Sequence, residues 1–169
     1  MATNATIYKA VLQISDLDRH YFQDHTLTLA RHPSETEERL MVRVLTFALD
    51  ADEALSFGRG VGTEDEPSLW QRDATGAIDL WLEIGQPDEK TIRQACGRSK
   101  QVIIYVYGPR GAEAWWENQR ASLDRLKNLA VILLPMESVR SLAGMASPSM
   151  QLQLTIQDGD RKSTRLNSS

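Results

Sequence analysis

Apolar and polar residues alternate twice near the start of the chain. In "ATIYKAVLQI", Ala5 to Ile14, residues Ile7, Ala10 and Leu12 stand among polar neighbours, and "HTLTLAR", His25 to Arg31, alternates again. Alternation is the period of a half-buried strand, so the two segments predict an opening β-hairpin, with "SDLDRH" supplying turn residues. The period then changes. Within "HPSETEERLMVRVLTFALDADEAL", Leu40, Met41, Val44, Leu45 and Ala48 form one helical stripe, and Ser34 followed by Glu37 reads as a capping box. Further on, "SLWQRDATG" predicts a short strand and turn, and "AIDLWLEIG" a strand. Pro87 opens a helix over "PDEKTIRQACGRSK", with Ile92, Ala95 and Cys96 on one side. The nearly continuous apolar run "QVIIYVYG" predicts a strand covered on both faces, and the β-α-β order predicts parallel pairing. A helix over "GAEAWWENQRASLDRLKNL" to near Asn128, a buried strand "AVILLP", a short helix "MESVRSLAGMA" and a final alternating strand "SMQLQLTIQ" complete the pattern. The expected fold is a single α/β (α+β) domain with a mixed β-sheet flanked by helices.

Composition narrows the function. The chain has 169 residues, 41% hydrophobic and 25% charged, which fits one globular domain. Its longest apolar run, Leu129 to Leu134, is too short to span a bilayer, and no basic start precedes an apolar stretch. A cytoplasmic protein with no membrane partner is expected. The net charge of -4 disfavours sequence-independent nucleic-acid binding, which would need a local basic patch, and it suits protein partners better. Cys96 stands alone and reads as a small buried hydrophobe. The last ten residues, "DRKSTRLNSS" from Asp160 to Ser169, match the translation of a widely used sequencing-library adapter and are set aside as a non-native tail. The domain is then residues 1–159, and removing the tail's net +2 from -4 leaves it at -6. The native chain is expected to continue past Gly159.

The chemistry centres on "AIDLWLEIG". Asp79, Trp81 and Glu83 fall on one face of that strand, and Ile78, Leu80, Leu82 and Ile84 on the other. The Cα atoms of Asp79 and Glu83 are about 13 Å apart on a straight strand, too far to clasp one small cation. A metal at Glu83 therefore needs a second acid: Asp65 or Glu66 from the preceding loop, Glu38 from the first helix, or Asp79 if the strand bends. The alternative is that both acids simply line a solvated face. Other groupings carry less. His20 and His25, with Asp24, are five apart and point to opposite faces of a strand. His32 reads as a helix-entry residue, and the glycines of "GRGVG", Gly58 to Gly62, lack the strand and helix that a phosphate loop needs. Trp115 and Trp116 read as one core anchor and one half-buried neighbour.

The element order resembles the PD-(D/E)XK nuclease superfamily, with Glu83-Ile84-Gly85 at the position of the (D/E)-X-K tripeptide. Gly85 stands where that pattern has lysine, so Lys90 or preferably Lys100 would supply the amine, or Gln86 an amide. More specifically, "LTLARHPSETEER", "DEP" before Trp70, "IDLWLEIGQPDEK", "QAC" and "TIQDG" resemble the YaeQ family of bacterial proteins over nearly all of residues 1 to 159. The resemblance implies a topological variant of the PD-(D/E)XK restriction-endonuclease-like fold with clustered acids. It assigns no reaction. Two functions follow as expectations. In the first, a metal-dependent nuclease, Glu83, Asp79, Glu66 and Asp65 hold Mg²⁺ or Mn²⁺, Glu38 orients the cluster, and Lys100 or Gln86 positions the attacking water. In the second, a catalytically inactive module on the same scaffold regulates or binds a protein.

Overall fold

The computed structural model describes residues 4–59, 65–108 and 110–157, with the backbone of 165–168. In chain order the elements are β1 (Thr6–Asp16), β2 (Tyr21–Arg31), α1 (Glu37–Leu49), β3 (Leu55–Phe57), β4 (Leu69–Arg72), β5 (Ile78–Ile84), α2 (Glu89–Arg98), β6 (Ser99–Val106), α3 (Ala112–Leu123), β7 (Leu129–Leu133), α4 (Met136–Ala143), β8 (Ser149–Ile156) and β9 (Arg165–Ser168). They fall into two compact units, Met1–Leu49 with Ser141–Ser169, and Asp50–Arg140. Instead of one mixed sheet there are two, ordered β2-β1-β8-β9 and β3-β4-β5-β6-β7. The last alternating strand explains the difference. Alternation shows that β8 has one buried face but not which strand it joins, and it pairs in parallel with β1 rather than beside β7.

In the first unit, β1 and β2 form the expected hairpin, longer than the alternation indicated. The buried carboxylate of Asp16 fixes its turn by accepting the N–H groups of Asp18 and Arg19, each at 3.1 Å, and Arg19 Nε at 2.6 Å. The buried face of this sheet is Tyr8, Ala10, Leu12 and Ile14, with Leu27, Leu29, Leu152 and Leu154 from its neighbours. Helix α1 meets it through the edge-on contact of Phe47 with His25 and through Arg43, which donates to the carbonyl of Ala30.

The start of α1 differs from expectation. Thr36 is its cap, with Oγ1 accepting the Arg39 N–H at 3.1 Å, while Ser34 Oγ lies 2.6 Å from His32 Nδ1. The Ser34–Glu37 box is therefore not formed, because Ser34 belongs to the turn before the helix. Every residue from Leu40 to Leu49 is buried, so α1 is covered all round rather than along one stripe.

In the second unit, β3, β4 and β5 are antiparallel neighbours, and β5, β6 and β7 run parallel, as the β-α-β order implies. The three-residue β3 gave no signal because it is too short for a period to show. Helix α2 begins at Glu89, two residues later than Pro87 suggested. Asp88 is its cap, accepting the Thr91 N–H at 2.8 Å, and that bond holds its carboxyl below the ordinary aspartate range. Helix α3 stops at Leu123, short of Asn128, whose amide donates to the carbonyls of Cys96 and Ser99 at 2.9 and 3.0 Å. Strand β7 is half-buried throughout, since it forms the edge of its sheet and pairs only with β6. Trp115 and Trp116 are both half-buried against the cluster around Trp81, and burial pushes the Cys96 thiol upward.

The backbone of Arg165–Ser168, within the ten residues set aside as a tail, pairs antiparallel with β8.

Candidate acidic site on the central strand

Strand β5 lies in the middle of the second sheet, so both of its edges are paired. Trp81 is buried with Ile92, Ala95 and Cys96 of α2 and with Val102 and Ile104 of β6. The face shared by Asp79, Trp81 and Glu83 is thus the one covered by α2, and each acid meets a defined partner there. Register sets those partners. Lys100 falls between the pairs Ile78↔Ser99 and Leu80↔Gln101, beside Asp79, and its Nζ lies 3.0 Å from Asp79 Oδ1. That hydrogen bond raises the Lys100 pKa.

Glu83 is level with Ile104 on one side and follows Leu82, the partner of Leu69, so Ser68 is its neighbour across β4. Trp81 Nε1 donates to Glu83 Oε1 at 3.1 Å, and Ser68 Oγ donates to Oε2 at 3.5 Å. A buried indole N–H with no acceptor costs about 1–3 kcal/mol, so this carboxylate has a clear structural task. The tryptophan is stacked further. Trp70 meets it edge-on with centroids 6.2 Å apart, Arg98 lies 5.2 Å over its ring, and Arg72 lies 4.3 Å over Trp70.

The other candidates are distributed around this strand. Glu66 accepts the Arg59 N–H at 2.9 Å and Arg59 Nε at 3.0 Å, and these contacts, the backbone one first, hold its carboxyl below the ordinary glutamate range. Asp65 has an exposed side chain, and its carbonyl accepts Arg98 Nη1 at 3.3 Å. Glu64 and Gly60 to Gly62 lie outside the described residues. Gln86 packs on Gly108 so closely that a Cβ at 108 would sit 2.1 Å from Gln86 Nε2. Lys90 is exposed in the first turn of α2, and Glu38 is half-buried in α1, within the first unit. Lys100 and Glu83 are separated along the sheet by the same four-residue step that separates Asp79 from Glu83, about 13 Å, with Trp81 between them. Among the described residues no group of three or more His, Cys, Asp or Glu side chains is placed to hold a metal ion.

Gly85 has a backbone reason for being glycine. Its φ is +95°, its N–H donates to the Tyr105 carbonyl at 2.9 Å, and a Cβ there would meet nothing within 4 Å. Space is free, so the obstacle to another residue is conformational. Gly85→Lys, which restores the nuclease tripeptide in sequence, is expected to cost about 1–2 kcal/mol of stability. Urea unfolding of the two proteins measures it; a substitution without cost would show that the turn does not hold this conformation.

Sequence reasoning missed Ser68, Arg72 and Arg98, because only strand register and ring stacking bring them to the acidic strand. It also missed Glu35, which is 4% exposed and binds Arg39 Nη1 at 2.5 Å and Arg43 Nη2 at 2.6 Å. That trio did leave a trace, as charges spaced i, i+4 and i+8.

Two mixed sheets and, among the described residues, four helices define a mixed α+β protein with an acidic strand central in its second sheet. The chain belongs to the YaeQ family: the profile of the YaeQ protein matches residues 1–165. The uncharacterized protein YaeQ of Salmonella typhi is 47% identical over 159 residues, covering 94% of this chain and 88% of that protein. Its Escherichia coli K12 counterpart is 46% identical over the same share. A crystal structure of YaeQ from Xanthomonas axonopodis pv. citri, 46% identical, superposes with a TM-score of 0.89 over 96% of this chain and 94% of that one. YaeQ from Pseudomonas syringae, 31% identical, gives 0.88 over 99% and 97%. No helix among the described residues is long and apolar enough to cross a membrane.

Proposed function

We propose that this chain is a non-catalytic variant of the PD-(D/E)XK nuclease fold that acts through a protein partner, its acidic strand serving the fold. The observation that carries this reading is the occupancy of the Glu83 carboxylate, with one oxygen facing the Trp81 N–H and the other the Ser68 O–H. A divalent cation at Asp79 would meet the like charge of the Lys100 ammonium, 3.0 Å from Oδ1, and one at Glu83 would compete with two hydrogen-bond donors for the same oxygens. Neither arrangement fits the cation well.

One observation favours the second reading, Mg²⁺- or Mn²⁺-dependent phosphodiester hydrolysis: the Lys100 amine does lie against an acid of this strand. Calorimetric titration with Mn²⁺ separates the two. The non-catalytic reading expects the same heats from wild type and Glu83→Gln, a variant that keeps an acceptor for Trp81. A one-to-one binding heat present in wild type and lost in the variant would overturn it in favour of the hydrolase. In that case Asp79, Glu66, Asp65 and Glu38 become the next ligands to test, and Lys100 and Gln86 the next groups to test for holding the attacking water.

A further inference from the structure

The open face of the first sheet carries exposed apolar side chains and few charges. All four exposed large hydrophobic residues among those described, Ile7, Val11, Leu17 and Phe22, lie on the β1–β2 hairpin. Three of them are on the open face, where Ile7 is 51%, Val11 37% and Phe22 53% exposed. Across β1, β2 and β8 this face carries only two charges, Lys9 and Asp24, both exposed and neither in an ion pair among the described residues. In a chain with 25% charged residues, that is a nearly neutral surface.

The order of these groups along the strands is self-complementary. Val11 pairs with Thr26 at the centre. Two residues to one side, Lys9 pairs with Thr28, and two to the other, Gln13 pairs with Asp24. Four residues out, Ile7 pairs with Ala30 at one end and Ser15 with Phe22 at the other. A two-fold axis parallel to the sheet, midway between two stacked copies and running across the strands over Val11 and Thr26, exchanges the two ends of the face and sets Val11 against Val11. The same operation stacks β1 on the partner's β1, so Lys9 faces the partner's Gln13 with the partner's Asp24 diagonally beside it on β2, and Ile7 faces the partner's Ser15 with the partner's Phe22 diagonally beside it, each arrangement occurring twice.

We infer that this face is the interface of a homodimer in which two copies pack sheet on sheet. Such packing places the sheets about 10 Å apart, a gap that lysine and phenylalanine side chains span. An isologous contact requires the self-matching pattern just described. Three strands about 4.8 Å apart and up to eleven residues long offer a footprint of about 500 Å² per copy, at the lower limit for a specific interface. The dimer is accordingly a weak to moderate one, with its register chosen by the two charges. This surface is separate from the acidic strand, and the dimer stands whichever reading of that strand holds.

Sedimentation equilibrium of the full chain over a concentration series tests it. Wild type is expected to pass from 19.0 kDa to twice that mass as concentration rises. Lys9→Glu and Asp24→Lys each place like charges together and should weaken the dimer about tenfold or more, while the double exchange restores the attraction and most of the affinity. Val11→Glu, on the axis, should leave a monomer. All three positions changed are on the solvent face, and circular dichroism verifies that the four variants stay folded. A wild type that stays monomeric throughout, or a dimer unaffected by Val11→Glu and by both charge reversals, overturns the proposal.

Discussion

Trp81→Ala is expected to lower the stability of the second unit by about 3–5 kcal/mol, the largest effect of any single substitution in that sheet. Trp81 is among the largest fully buried side chains, and its ring fills the space between β5, β6 and α2. Truncation removes its transfer free energy and leaves a cavity that neighbours on two strands and a helix cannot all close. It also removes the contacts of the ring with Trp70 and Arg98, and takes away the donor facing Glu83. Trp81→Phe separates these contributions, keeping most of the volume while losing the N–H. Urea unfolding is the measurement, with the smaller loss expected for phenylalanine. A loss below about 1 kcal/mol for alanine would mean that Trp81 does not occupy the core of this sheet.

Glu35→Ala should cost the first unit a similar amount, about 3–5 kcal/mol, by a different route. The Glu35 carboxylate is almost fully enclosed and bridges Arg43, whose side chain is 8% exposed, and Arg39, at 30%. Without it the buried Arg43 guanidinium loses its carboxylate, while the Ala30 carbonyl, a neutral acceptor, still takes one of its N–H groups. An uncompensated buried cation is far more costly than the intact pair is favourable. The double change Glu35→Leu with Arg43→Met should therefore recover most of the stability, whereas Glu35→Ala alone should not. Thermal melts of the three proteins decide this; equal losses for the single and double changes would show that the site is destabilised by lost packing and not by charge.

Most elements were legible because their burial is regular. The alternation of β1, β2 and β8 and the unbroken apolar run of β6 report which faces are covered, and these strands, like β5, form as expected. What could not be read was the pairing of distant strands, since side-chain period carries no information about a partner. Hence the pattern of β8 names no neighbour, and the two sheets read as one. The ends of α1 were lost for a local reason: Ser34, Thr36 and their acidic followers offer competing caps, and His32 settles the matter by engaging Ser34. For the acidic strand, sequence placed Asp79, Trp81 and Glu83 on one face but could not tell that α2 covers that face. The roles of Lys100 and Ser68 depend on the registers of β6 and β4, and the meaning of Gly85 on a dihedral angle rather than on the residue it appears to replace.

The side-by-side run of β1 and β8 also fixes an order of events during synthesis. Gln13 and Gln153 are hydrogen-bonded across 140 residues of chain, and the whole of the second unit is made between them. As the polypeptide leaves the ribosome from its N-terminus, Asp50–Arg140 can close its own sheet while the earlier hairpin still waits with the β1 edge open. The later-made unit thus matures first, and the hairpin must be kept from pairing with other chains until residues 149–156 arrive. Nascent chains arrested before Ser149 should accordingly protect β5 and β6 from proteases while leaving β1 and β2 open to them.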